Sequence, residues 1–160
     1  MNTHYYQDHD LTVAQHPSET DFRFMIRLLT FMLNADENLH FTKGLSTGDE
    51  PELWQKSLTG DIELWIELGQ PDEKRLRKAC GLAKKVIVYT YHQGKANVWW
   101  QQQKEKFARF KNLNIIHIQV EGIETMVKRT MDLQCTIQDA EIYVNDGDSS
   151  AVITLKQYQK

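Results

Sequence analysis

GDIELWIELGQPDEKRLRK, residues Gly60–Lys78, decides the fold. Its first half alternates. Ile62, Leu64, Ile66 and Leu68 fall on one face of a strand, and Asp61, Glu63, Trp65 and Glu67 on the other. Gly69 and Pro71 stop the strand, because proline cannot donate to a ladder. From Asp72 the period becomes helical. Asp72 and Glu73 come first and Lys74, Arg75, Arg77 and Lys78 follow, the order that suits a helix macrodipole. A row of three carboxylates on one strand face repels itself and calls for a cation, a base or water. The junction of acid-bearing strand and base-bearing helix is therefore the candidate site. The plainer reading is a solvated strand face followed by a solvated helix face.

Downstream, Lys85–Tyr91 is β-branched and aromatic and nearly continuously apolar at its start, as in a strand covered on both faces. Strand, helix and strand at this spacing make a parallel crossover unit. His92–Lys95 reads as a turn, and Asn97–Gln101 as a strand end or a helix start. Gln102–Phe110 is helical, with Phe107 and Phe110 on its apolar side. Asn114–Val120 is a strand, Glu121–Thr130 a short helix and Leu133–Ile137 a strand. Glu141–Val144 and Ala151–Leu155 form a hairpin through the turn NDGDSS. The pair Trp99-Trp100, near Lys104 and Lys106, suits either base stacking or core packing.

Upstream, Ser18 is a good N-cap, with Asp21 three residues on. Phe22, Met25, Ile26, Leu29, Met32 and Leu33 then carry a helix to about Asn34 that packs on a sheet. Glu19 compensates the dipole of this helix. Arg23 and Arg27, four apart, share a face and suit either solvent or an anion. Leu39–Thr42 is a short strand ended by Lys43-Gly44, and Ser46–Glu52 is a turn-rich acidic segment. Leu53–Lys56 fits a strand or a helical turn.

The 160 residues suit one domain, 1–160. With 41% hydrophobic and 26% charged residues the chain is neither disordered nor membrane-embedded. The polar start MNTHYYQDHD has no signal-peptide core, so the protein is expected in the cytoplasm. A net charge of −3 gives no global attraction to nucleic acid. Cys80 and Cys135 are expected free, and the scattered histidines, His4 and His9 included, match no zinc spacing.

HPSET opening a helix that continues RLL, then FTKGL, DEPELW, ELWIELG with PDE behind it, VWWQQ and RTMDLQCTIQDAEIYV together resemble the YaeQ family of bacterial proteins. The resemblance covers nearly the whole chain from Tyr5. It implies an α/β fold with a mixed β-sheet flanked by helices, a variant of the PD-(D/E)xK restriction-endonuclease-like fold. Members of the family carry a further strand-forming segment before His4-Tyr5-Tyr6, so this chain is either a shorter natural variant or a truncated one, and in the second case a sheet edge is open.

The resemblance also implies a site. Glu52, with Glu50 close behind, supplies the first acid, and Glu67 the second. The lysine wanted two positions on is replaced by Gly69, so Lys78, or Lys74 on the same helix face, serves instead. Glu19 and Glu63 are secondary candidates, and Arg75 and Arg77 are candidate phosphate ligands. On this pattern Glu52 and Glu67 hold Mg²⁺, which needs hard oxygen ligands and acidifies water. The lysine neutralises charge that develops on the phosphate. The function implied is a Mg²⁺-dependent nuclease or nucleic-acid-processing protein. The alternative is a non-catalytic nuclease-fold binding or regulatory protein.

Overall fold

A computed structural model describes residues 4–12, 15, 17, 19–42, 50–126, 130–138 and 141–159. The elements, in order, are β1 (His4–Thr12), α1 (Asp21–Leu33), β2 (Leu39–Phe41), β3 (Leu53–Lys56), β4 (Ile62–Leu68), α2 (Glu73–Leu82), β5 (Ala83–Thr90) and α3 (Gln93–Phe107). They continue with β6 (Leu113–Gln119), a 3₁₀ turn (Ile123–Met126), β7 (Thr130–Gln138), β8 (Glu141–Asn145) and β9 (Ser150–Gln159). Parallel and antiparallel pairs coexist, so the fold is mixed α/β, as the sequence implied. Contacts divide the chain into two compact units, one of residues 34–117 and 156–160 and the other of residues 1–33 and 118–155.

The first of these units holds the Gly60–Lys78 stretch. Its strands run in the order β6-β5-β4-β3-β2. The crossover β4–α2–β5 is parallel, with Trp65 opposite Val86 and Glu67 opposite Val88. Leu53–Lys56 resolves as a strand, antiparallel to β4, with Trp54 opposite Trp65. Val86–Thr90 is buried on both faces, as expected of a strand inside a sheet. The core here joins Trp65, Leu76, Ala79, Val86, Val88, Phe107, Leu113 and Ile115. Phe107 was read correctly as core, but α3 begins nine residues earlier than Gln102. His92–Lys95 is therefore no turn. His92 is the N-cap and Ala96 is buried, so packing outweighs the weak helix propensity of Gly94.

In the other unit the strand order is β1-β7-β8-β9. The hairpin β8–β9 is present, with Asn145 opposite Ser150. Of the helix expected over 121–130, the described residues show a 3₁₀ turn at Ile123–Met126 and the start of β7 at Thr130, and residues 127–129 lie outside them. β1 pairs antiparallel with β7 along its whole length, from His4 opposite Gln138 to Thr12 opposite Thr130. Helix α1 is capped by Thr20, whose Oγ1 accepts from the Arg23 N–H at 3.1 Å. Ser18, the expected cap, lies outside the described residues, as do Lys43-Gly44 and the turn at 46–49. The helix is less one-sided than its spacing suggested, since every residue from Phe24 to Thr30 is buried.

Two consequences can be measured. Leu76, fully buried, fastens α2 to the strands of its unit, so Leu76→Ala should cost about 2–5 kcal/mol in denaturant unfolding. His117 is buried, with its Nδ1 2.8 Å from Thr90 Oγ1. Burial, then the charge of Lys156, push its pKa below 6.5. The folded state thus favours neutral imidazole while the unfolded chain takes up the proton. Stability should fall as pH drops below about 6.5, and His117→Gln should shrink that slope in unfolding curves taken between pH 7 and 5.

Candidate functional site

The three acids of the β4 face do not share one cation. Asp61, at the exposed start, accepts from Thr59 Oγ1 at 3.3 Å, and its N–H donates to Ser57 Oγ at 3.1 Å. Glu63 meets Lys84 Nζ at 3.0 Å in an open ion pair, which contributes little. Glu67, only 5% exposed, has the most enclosed environment of the three. Alternation along β4 therefore identified the face, but burial begins only at Trp65.

Glu67 is held by three groups. Arg75 Nε donates to Oε2 at 2.6 Å and Arg75 Nη2 to Oε1 at 2.9 Å, a bidentate fork. Trp65, two residues back on the same face, donates its indole N–H to Oε1 at 2.9 Å. The local sequence arranges this. Gly69 adopts φ +95°, a conformation that strains residues with a side chain, and its N–H donates to Tyr89 O at 2.9 Å. Any side chain at position 69, a lysine included, would be strained by that conformation. Asp72 then caps α2 by accepting from the Arg75 N–H at 2.8 Å. Arg75 thus sits in the first turn of α2, with its side chain directed back to the strand.

Arg75 also draws in the segment before β3. Its Nη2 donates to the Glu50 carbonyl at 2.8 Å. Glu52 lies one register step beyond the Leu53–Ile66 pair, opposite Glu67, and its carboxylate adds to the field that raises the Arg75 pKa. The larger cause of that rise is the hydrogen bonding to Glu67. Glu52 is 8% exposed, and Glu50 Oε1 is buried without a hydrogen-bond partner among the described residues. Glu52 and Glu67 are thus brought together, and Glu50 joins them through its backbone carbonyl. The cation at their centre is Arg75, which the sequence reading had offered to phosphate.

The other candidates lie elsewhere. Lys74 and Lys78 are exposed on α2. Arg77 is exposed too and bonds Glu73, which also receives Arg109 Nη2 at 2.6 Å. Glu19, in the other unit, is 7% exposed and neutralised within its own surroundings. Arg27 donates to its Oε1 from Nη2 at 3.0 Å and to its Oε2 from Nε at 3.2 Å, and Arg23 Nη1 donates to Oε2 at 3.0 Å. The anion for Arg23 and Arg27 is an internal carboxylate. Trp99 is a packing residue, its indole N–H donating to Pro71 O at 3.0 Å and its ring 5.4 Å from that of Phe107. Cys80 and Cys135 are free thiols, and burial pushes that of Cys80 up to about 11. Among the described residues, no three His, Cys, Asp or Glu side chains are grouped to hold a metal ion, and no helix is long and apolar enough to cross a membrane.

The signal that was available for Arg75 is its helix position. An arginine three residues after an Asp cap, behind a strand that ends in Glu, is placed to reach back. If the pair is the clamp described, Arg75→Met leaves a buried carboxylate without its cation. It should cost about 3 kcal/mol in chemical unfolding. Adding Glu67→Gln, which keeps an acceptor for Trp65, should restore part of that loss in a double-mutant cycle.

The comparisons with known proteins agree with this fold. The family model described as YaeQ protein matches residues 1–155. An uncharacterised YaeQ protein of Escherichia coli (strain K12) is 42% identical over 163 residues, covering 100% of this chain and 90% of its own. The crystal structure of YaeQ protein from Xanthomonas axonopodis pv. citri superposes with a TM-score of 0.89 at 41% identity, covering 97% of this chain and 89% of that one. That of YaeQ protein from Pseudomonas syringae gives 0.86 at 28% identity, covering 99% and 97%. The chain belongs to the YaeQ family.

Proposed function

We propose that the chain is a non-catalytic binding protein built on a nuclease-like fold, and that its partner is a nucleic acid. The observation that carries the first half is the Glu67–Arg75 fork. A Mg²⁺ ion at Glu67 needs carboxylate oxygens, and both are already engaged by a guanidinium whose charge does a metal's neutralising work. As arranged, the residues do not fit a metal, and no hydrolytic step is derived through one. Support for the second half comes from α2, where Lys74 and Lys78 are exposed within two turns and are of the type that grips phosphates, while Arg77 beside them is bound to Glu73.

The rival is the Mg²⁺-dependent nuclease with Glu52 and Glu67 as ligands and Lys78 beside the phosphate. The buried Glu50 Oε1, lacking a partner among the described residues, is the observation in its favour. It requires Arg75 to leave Glu67.

One experiment separates the two. A labelled oligonucleotide is incubated with the purified chain and with Glu67→Gln, in Mg²⁺ and in Mn²⁺, while anisotropy reports binding. The binding reading predicts intact oligonucleotide throughout. It also predicts an affinity that falls with salt, and a log–log slope reduced by about 2 in Lys74→Gln/Lys78→Gln. Cleavage that needs the metal and disappears in Glu67→Gln would establish the nuclease. Absence of any salt-sensitive binding would remove the nucleic acid.

A further inference from the structure

A second site, sharing no residue with the Glu67 cluster, lies between the C-terminal part of α3 and the end of β9. It is an open cavity of about 430 Å³, inside the ~300–1,000 Å³ range of small-molecule sites. Its apolar wall is made of Trp100, Tyr158, Phe110 and Ala108. The rings of Trp100 and Tyr158 stack with centroids 5.5 Å apart and planes 22° apart, and both residues remain partly exposed. Lys104 and Lys111 stand exposed at the rim, and Lys156 Nζ lies 5.4 Å from the centroid of the Tyr158 ring.

Beside the Trp100 N–H and the Tyr158 O–H, the lining carries two acceptors. Gln159 Nε2 donates to Phe107 O at 2.9 Å and to Phe110 O at 3.4 Å. Its carboxamide is thereby oriented, with Oε1 as the end left to accept. Glu105 adds an exposed carboxylate to the same lining. The combination is a flat stacking surface, acceptors beside it and cations at the rim. A planar base that carries a donor amine and is linked to a phosphate complements all three.

We propose that this cavity binds a free mononucleotide with an amino-bearing base, of which adenosine monophosphate is the type. The base stacks on the Trp100–Tyr158 pair, the exocyclic amine donates to Gln159 Oε1 or Glu105, and the phosphate meets Lys104 and Lys111. A single nucleotide is favoured over a strand because the cavity is about 430 Å³ and its aromatic side chains, Trp100, Tyr158 and Phe110, line that one space. A strand-binding groove has successive platforms along a basic track.

The test is calorimetric titration of the full chain with adenosine monophosphate, adenosine, inosine monophosphate and a short oligothymidylate. Lys104→Gln/Lys111→Gln, which alters only exposed side chains, is titrated in parallel. Adenosine monophosphate should bind saturably at one site per chain, and adenosine about tenfold more weakly. Inosine monophosphate, which presents an acceptor where adenine has its amine, should also bind more weakly. The double variant should lower the nucleotide to the level of the nucleoside and leave the nucleoside unchanged. No saturation by adenosine monophosphate at millimolar concentration would overturn the proposal, as would wild-type nucleotide affinity in the double variant. Oligothymidylate binding tighter than the mononucleotide, and lost in the double variant, would reassign the cavity to a strand. Oligonucleotide binding that instead depends on Lys74 and Lys78 bears on the α2 reading and leaves this one standing.

Discussion

The ion pair between Glu67 and Arg75 is the constraint on which the surrounding structure depends. A buried carboxylate is costly unless it is paired and hydrogen-bonded. Here the need is met within nine residues of chain, by a glycine that turns, an aspartate that caps and an arginine that returns. The same guanidinium reaches the Glu50 carbonyl, so three successive pieces of chain are referenced to one charge. Such a pair adds little net stability over well-packed apolar groups. Its contribution is definition, because shifting β4 or α2 by one residue would leave the carboxylate without its cation, and shifting β3 would take the Glu50 carbonyl from the same guanidinium.

The device recurs in the other unit with the order of parts changed. Glu19 precedes α1 and folds back onto arginines one and two turns along it. In both cases an acid beside a helix start looks, in sequence, like dipole compensation or a catalytic group. In both cases the structure spends it on arginine. Carboxylates that lie upstream of a helix bearing arginine on the returning face are therefore weak pointers to metal chemistry.

The change of period from two to nearly four at Gly69 made β4, α2 and β5 legible, and the parallel crossover followed from their spacing. The resemblance pointed to Glu52 and Glu67, which lie near one another beside Arg75. What sequence alone did not convey was which cation would sit among them. Arg75, Lys74 and Lys78 differ by single positions on one helix, and the cap at Asp72 chooses the rotation. The first nine residues of α3 were obscured because its start has no side-chain cap bond and carries Gly94, while the burial that holds it comes from distant residues. β1 was not read at all. Its sequence HYYQDHDLT lacks a sustained apolar alternation, and its partner is β7.

That partnership bears on how the chain is made. Synthesis delivers β1 long before its partner, which begins at residue 130. The unit containing α2 is encoded almost without interruption from residue 34 to 117, so it can condense while the other half of the chain is still missing. In that interval β1 is an unpaired strand in a crowded cell. Asp8, Asp10 and the neighbouring histidines give it the polarity that discourages pairing with other nascent chains. The feature that hid this strand from a periodicity argument is thus one that suits a segment obliged to wait.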